Sequence, residues 1–302
     1  MDFGKLHDIE QVDFSLPPEP VYNDGFFSRL TPREDPPHIY IGATGYHMKP
    51  WVGQWYPEGA KQGDYLTHYG RQFNTIEHNS THYRMPDAAT IARWREETPA
   101  DFRFCPKVLQ AISHAPDLGA SNTLIEAFSD AVAGLEDRYG CTFLQTPPAF
   151  APHHYIRLER FLLRWPRVLP VAVEVRHSEF FPESPAYFEL LEKHGAAAVI
   201  TDVAGRRDVC HMHLTAPRTL IRFVGNGLHP SDFARIDAWA TRVAAWCARG
   251  LREVYFFTHE PDNLLSPELA AYTATAFKKQ LPKAVLRGPE RVQVPPKQGL
   301  LF

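Results

Sequence analysis

Eight short apolar runs, most of them closed by a polar or charged residue, recur along this chain and constrain its fold more than any other feature. They span residues 38–42, 75–79, 103–108, 142–146, 171–176, 197–202, 220–224 and 253–259. Stretches of helical period separate most of them, and strands alternating with helices are the pattern of parallel βα units with crossover helices. A chain of 302 residues is long enough for one large barrel. No G-x-G-x-x-G follows the first run, which weighs against an open dinucleotide-binding sheet. The expected fold is therefore α/β, a (β/α)8 TIM-type barrel over residues 38–281. Between the sixth and seventh runs AGRRDVCHMHLTAPR is too short and broken for a helix, so the eightfold pattern is expected to be irregular there.

The helices are legible from their apolar faces. Leu124, Phe128, Val132 and Leu135 follow Ser121, read as an N-cap, and Phe233, Ile236, Ala240, Val243 and Cys247 follow Ser231, with Gly250 as the stop. Asp87 precedes a helix carrying Ile91 and Trp94, and Ser266-Pro267 puts proline at the first position of the last helix. Residues 1–37 are rich in proline and acids without a steady period, and read as an extended, partly disordered arm. Residues 282–302 read as a Pro-rich basic tail with no element of its own.

Lys plus Arg number 32 against 35 Asp plus Glu, so no global field draws the chain to nucleic acid or to an anionic membrane, and any anion site is local. The cysteines, Cys105, Cys141, Cys210 and Cys247, are scattered without a C-x-x-C pair, which suggests neither a zinc site nor a disulfide framework. No basic segment followed by an apolar stretch opens the chain, and no eighteen apolar residues run uninterrupted. The expectation is a cytoplasmic protein with no membrane partner.

In such a barrel the active site gathers at the C-terminal ends of the strands. The second run continues into EHNSTHYRMP, where Asn79, Ser80 and Tyr83 crowd more hydrogen-bonding groups than a connecting loop requires. Glu77 and Glu174 sit near strand ends in apolar context, and an inward orientation would oblige each to pair, take up a proton or bind metal. Lys107, Arg176 and Arg222 are the candidate partners, and Gln145 lies in the fourth run, next to its end. A buried ion-pair network of purely structural value is the competing reading. H-x-H at His211 and His213, and His259-Glu260 closing the eighth run, make a divalent metal held by Glu77, Glu174, Asp202 and a His conceivable but weakly supported, and no residue is assigned to metal. No G-x-S-x-G elbow occurs, so nucleophilic hydrolysis is poorly supported. Cations at strand ends fit an anionic ligand.

At these residues the sequence resembles the YecE-like family, a domain of unknown function numbered seventy-two. The likeness runs through IGATGY with WVGQWYPEG, FNTIEHNSTHYRMP, DFRFCPK, Ser113-His114, FLQTPP, VAVEVRH, ITD and RFVGN, in that order. It implies a TIM-type barrel, with Glu77, Asn79, Ser80, Tyr83, Lys107, His114, Gln145, Pro147, Glu174, Arg176, His177 and Asp202 at the family's characteristic positions. The chain departs from the family with Tyr46 in place of Trp, His82 in place of Phe, and Arg222-Phe223-Val224-Gly225 in place of an R-x-H-G-like segment. The resemblance carries no reaction with it.

Together these readings make Glu77, Glu174, Asp202 and His114 the candidate catalytic groups, with Glu174 as general base. Asn79, Ser80, Tyr83, Lys107, Gln145, Arg176, His177 and Arg222 are the candidate ligand-binding groups. The expected ligand is an anionic small molecule or nucleic-acid fragment, and the expected activity is hydrolysis of a phosphodiester-type substrate. The alternative is a non-catalytic adaptor. Gln298, Leu301 and Phe302 end the chain in QGLLF, which looks like the pentapeptide that enters the groove of a bacterial sliding clamp. An apolar end that docks on its own barrel is the other reading.

Overall fold

The structure, a computed structural model, describes residues 3–31, 34–181 and 185–292. Its strands are β1 (His38–Ala43), β2 (Thr75–His78), β3 (Arg103–Pro106), β4 (Thr142–Gln145), β5 (Val171–Glu174), β6 (Ala197–Asp202), β7 (Arg218–Val224), β8 (Glu253–His259) and β9 (Val285–Arg287). The helices are α1 (Tyr22–Ser28), α2 (Tyr65–Gln72), α3 (Ser80–Tyr83), α4 (Ala88–Glu97), α5 (Gln110–Ser113), α6 (Leu124–Ala133), α7 (Tyr155–Arg164), α8 (Pro185–His194), α9 (Pro230–Ala248) and α10 (Ser266–Gln280).

Strands β1 to β8 run parallel and each pairs with its neighbours in sequence except β3 with β4, while β8 returns to β1. The ring is drawn together between β3 and β4, where Gly140 N–H donates to Phe104 O and Val108 N–H to Phe143 O, both at 2.9 Å. This is the TIM-type barrel, and every apolar run coincides with a strand to within two residues at either end. Between β6 and β7 the chain forms only a single 3-10 turn, Arg207–Val209, in place of a helix. The irregularity expected at that junction is present.

Side chains alternate across each strand, so one set faces the barrel axis and the other faces the helices. The axial set in the lower barrel is an apolar plug that includes Cys105, Cys141, Phe143, Ala172, Val199, Leu220, Tyr255 and Phe257, all buried. The outer set, such as Ile41, Ile76, Ile221 and Phe256, packs under the helices. The plug closes the bottom of the barrel, so polar groups can converge only above it.

Helix starts differ locally from the expectation. Asp87 caps α4 by accepting the Thr90 N–H at 2.8 Å, as read. Ser121 does not cap α6, because the helix opens at Leu124 and Thr123 occupies its N-cap position. Ser231 lies inside the first turn of α9, whose first residue is Pro230 with its preset φ. Pro267 is the second residue of α10 rather than the first.

Two larger corrections concern the ends. The arm is not loose over residues 3–31: α1 lies within it, and Asn23 is fixed by its Nδ2 on Met212 O at 2.9 Å and by the Leu214 N–H on its Oδ1 at 3.0 Å. The tail contributes β9, which pairs in parallel with β1 from His38 to Tyr40. That part of β1 is open because β2 pairs only with Gly42 and Ala43, and three residues are too few to show a period. Gln298, Leu301 and Phe302, the clamp-like end, lie outside the described residues. Among the described residues, no helix is long and apolar enough to cross a membrane.

Candidate functional site

Directly above the apolar plug, the strand ends direct polar side chains into one cluster. Its centre is Arg222 of β7, only 2% exposed. Its Nε and Nη2 donate to Glu77 Oε2 and Oε1 at 2.9 and 3.0 Å, a bidentate pair, while Nη1 donates to Glu174 Oε2 at 2.9 Å and Oε1 at 3.1 Å. Around Glu174, Gln145 Nε2 donates to Oε2 at 2.7 Å and Arg176 Nε to Oε1 at 3.1 Å, and Lys107 Nζ donates to Gln145 Oε1 at 2.9 Å. Around Glu77, Asn79 Nδ2 donates to Oε1 at 3.1 Å, and His259 Nε2 lies 2.9 Å from Oε2.

The electrostatics follow from burial and partners. Burial alone would raise the Glu77 carboxyl, but the Arg222 charge and the hydrogen bonds from His259 and Arg222, with the His259 charge added whenever that ring is protonated, outweigh it and hold the group well below the usual carboxylate range. Glu174 is held low in the same way by Arg222, Arg176 and Gln145 against its burial. Lys107 is pushed down to about 8, chiefly by burial and further by Arg222 and Arg176, with Glu77 and Glu174 pulling the other way. Lys107, Arg176 and Arg222 thus converge on the two ionised carboxylates of Glu77 and Glu174.

An ionised carboxylate only accepts hydrogen bonds, so Glu77 fixes the proton of His259 on Nε2 and leaves Nδ1 as the acceptor in the neutral ring. His259 borders a cavity of about 140 Å³ at the barrel mouth. Arg222, Asn79, Thr44, Thr201 and Glu260 share its wall with Phe3 and Lys5 from the arm.

The sequence candidates divide into three groups. Glu77, Glu174, Arg222, Gln145, Lys107, Arg176 and Asn79 come together. Asp202 does not: its Oδ2 accepts from Trp239 Nε1 at 2.8 Å, and its Oδ1 from Arg235 Nη1 at 3.0 Å and from Arg207. The side chain points outward under α9 because Thr201, the preceding residue, takes the inward position. Ser80, Tyr83, His114 and His177 stand beyond the strand ends. Ser80 Oγ pairs with His78 Nε2 at 2.8 Å, and Tyr83 is 77% exposed. His114 Nδ1 pairs with Ser113 Oγ at 2.9 Å, and its pKa is lowered by burial and by Lys107 and Arg176. His177 Nδ1 accepts the Glu179 N–H at 3.3 Å. The metal set weighed from the sequence is not assembled, since Arg222 stands between the two carboxylates and Asp202 faces away. Among the described residues, no group of three or more His, Cys, Asp and Glu side chains is placed to hold a metal ion.

His259 is the cluster member that the sequence offered only as a strand-end residue and candidate metal ligand, without a catalytic or binding assignment. Strand alternation carries the signal, because His259 shares the face of Tyr255 and Phe257, both in the plug. Phe3 and Lys5 carry no periodic signal.

Glu260, next to His259, is 6% exposed. Its Oε2 accepts the Gly227 N–H at 2.9 Å, and Oε1 has no hydrogen-bond partner. Residue 225 is glycine where a Cβ would come within 2.3 Å of that oxygen. Burial, with Asp232 adding to it against the Gly227 N–H, raises this carboxyl to about 7. Since the unfolded carboxyl titrates near about 4.3, the stabilisation linked to this group is complete below that pH and lost as pH rises to 7. We therefore expect Glu260→Gln to gain stability relative to wild type between pH 5 and 8, measured by urea unfolding at each pH. A constant difference across that range would refute the assignment.

The family model described as "Protein of unknown function DUF72" matches residues 40–293. The UPF0759 protein YecE of Escherichia coli strain K12 is 32% identical over 266 residues, covering 81% of this chain and 94% of that protein. Among solved structures, the DUF72 family protein of Thermotoga maritima MSB8 is similar with a TM-score of 0.61 at 24% identity, over 81% of this chain and 99% of its own. A DUF72 family protein of Enterococcus faecalis V583 gives 0.61 at 17% identity, over 85% and 98%. These two establish the likeness of fold. With the family match across the whole barrel and a relative of this identity, the chain belongs to the DUF72 family.

Proposed function

We propose that the barrel mouth binds a compact anionic ligand bearing phosphate or carboxylate, and that His259 is the proton acceptor in a reaction on it, with hydrolysis of a phosphodiester-type substrate as the favoured class. The convergence of three cationic groups, Lys107, Arg176 and Arg222, in a largely buried cluster at the strand ends carries this reading. His259 Nδ1 would accept a proton from water or a ligand hydroxyl, and the imidazolium so formed would be stabilised by Glu77 at 2.9 Å. Glu174, expected from the sequence to be the base, is held ionised by Arg222, Arg176 and Gln145, so it is a weak base that orients Arg222 and Arg176. Lys107 and Arg176 would offset negative charge as it develops.

A second reading has its own support. The members of the cluster hydrogen-bond to one another, as in a structural ion-pair network, which suits a non-catalytic binding protein.

Thermal melting in inorganic phosphate and a panel of phosphate mono- and diesters separates the two. At one hundred times its dissociation constant, a ligand of the folded state adds about 2.7 kcal/mol. We expect that gain in wild type and in His259→Gln, its loss in Lys107→Met, and ester cleavage by wild type alone. Binding without cleavage in wild type favours the adaptor reading. If no anion stabilises wild type, the anion site is rejected.

A further inference from the structure

We propose that residues 3–10 form a strap across the barrel mouth that gates the cavity holding His259 and Arg222. The proposal rests on the mouth being the ligand site, but its test requires no ligand. The strap lies outside residues 40–293, the span matched by the family model, so nothing in that match speaks to it.

Phe3 is the wedge. Its ring lies under the Arg176 guanidinium at 4.3 Å and the Arg206 guanidinium at 5.0 Å, so it covers one cation of the cluster and ties it to the loop after β6. Gly4 is the latch. The Gly205 N–H donates to Gly4 O at 2.8 Å, and Gly4 has φ of +69° with room for no side chain, since a Cβ would come within 2.8 Å of Val203 Cγ1. Leu6 rests on Gly205, whose added Cβ would be 3.2 Å from Leu6 Cγ.

The strap divides one opening into two chambers. On the inner side, Phe3 and Lys5 complete the wall of the cavity that holds Asn79, Arg222 and His259. On the outer side, residues 4–10 line a second cavity of about 380 Å³ with Val203, Asn226 and His229. Lys5, Val224 and Pro261 border both. With the strap seated the inner chamber, at about 140 Å³, holds only a small anion. That is below the roughly 300 Å³ at which drug-sized ligands are enclosed. Once the strap lifts, the chambers merge, Arg176 loses its ring cover, and a longer anionic ligand can reach His259. Lys5 travels with the strap, so closure also brings a cation to the ligand.

Among the described contacts of residues 3–6, the backbone is tied to the barrel by the Gly4–Gly205 hydrogen bond, and the rest is supplied by the Phe3 ring, which also packs against the core, and by Leu6. Farther along, Phe14 stacks on Arg235 at 4.6 Å and Trp246 Nε1 donates to Glu19 Oε2 at 2.8 Å. The strap is therefore anchored beyond residue 10 and held over the site by side chains and, among the described contacts, a single backbone hydrogen bond, so it can part from the mouth without breaking a strand or helix.

Acylation of histidines by diethyl pyrocarbonate, read by peptide mass spectrometry on the full chain without ligand, reports access to His259. In Phe3→Ala and Gly4→Val we expect His259 to react about tenfold faster than in wild type, with exposed His153 unchanged as reference. In Leu6→Cys/Gly205→Cys, oxidation should pin the strap and slow His259 below wild type, and reduction should restore the wild-type rate. This opposite sign excludes general loosening of the fold as the cause. Equal His259 rates in wild type and in the oxidised and reduced double variant would overturn the gate. If the rates change as stated but no anion stabilises wild type, the strap stands and the anion reading fails.

Discussion

Arg222→Met is expected to lower the free energy of unfolding by about 3–5 kcal/mol, the usual cost of removing one partner from a buried ion pair. In a chain of this size that is a fall in Tm on the order of 10 °C. Glu77 and Glu174 are both buried, and Arg222 holds both, so its loss leaves two carboxylates facing each other over an apolar plug. One of them will then take up a proton, which fixes the sign of the pH dependence. In wild type these carboxylates titrate below their unfolded values, so their stabilisation is complete above about pH 4.3 and lost as pH falls further. In the variant, burial and the facing carboxylate push one carboxyl up, so it is protonated as pH falls from 7 while the wild type still keeps its stabilisation; the deficit should therefore be large at pH 7 and shrink toward pH 4. Urea unfolding at both values, with Lys193→Met as a surface control, provides the test. The Lys193–Glu159 pair at 2.8 Å is exposed on the lysine side and is worth at most about 1 kcal/mol. An Arg222→Met deficit no larger than that of Lys193→Met would mean that the cluster is not what holds the mouth together.

Asp202→Asn is the second large effect, and it decides what that residue is for. Asp202 accepts from Arg235 and Trp239 of α9 and from Arg207, so it fastens α9 and the β6–β7 junction to the barrel wall. Removing its charge leaves Arg235 buried with Asp232 as its remaining carboxylate, and again about 3–5 kcal/mol should be lost. Stabilisation by phosphate esters should be unchanged, because the side chain does not enter the mouth. An Asp202→Asn protein as stable as wild type but insensitive to those ligands would return the residue to the site.

Arg222 and Asp202 show what is legible in sequence and what is not. Arg222 and Glu174 are found from strand ends alone, because an apolar run interrupted by a charge has an inward position to fill, and alternation says which residue fills it. Asp202 ends its run in the same manner, yet parity puts Thr201 inside and Asp202 under the helix. A run whose last two residues are both polar does not reveal which one faces the axis, since a shift of one residue reverses every side chain. His259 is the converse case: two places after Phe257 and four after Tyr255, it shares their inward face.

The terminal segments are another matter. Phe3, Gly4 and Lys5 have no period to read, and their place over the mouth comes from contacts with Val203, Gly205, Arg176 and Arg206, far away in sequence. Likewise β9 exists because the lower edge of β1 is open beside it.

By itself, the sequence determined the eightfold alternation of strand and helix, the gap between β6 and β7, and the concentration of charge at strand ends. Each of these is local: period, length and turn chemistry act over a few residues. Only the tertiary structure decided that Arg222 would sit between Glu77 and Glu174, that Asp202 would face outward, and that the arm would cross the mouth. Those outcomes depend on strand register, on closure between β3 and β4, and on contacts between residues up to about two hundred positions apart. Burial then sets the charge states, holding Glu77 ionised through Arg222 and bringing Lys107 to about 8, because desolvation and pairing exist only once the chain has closed.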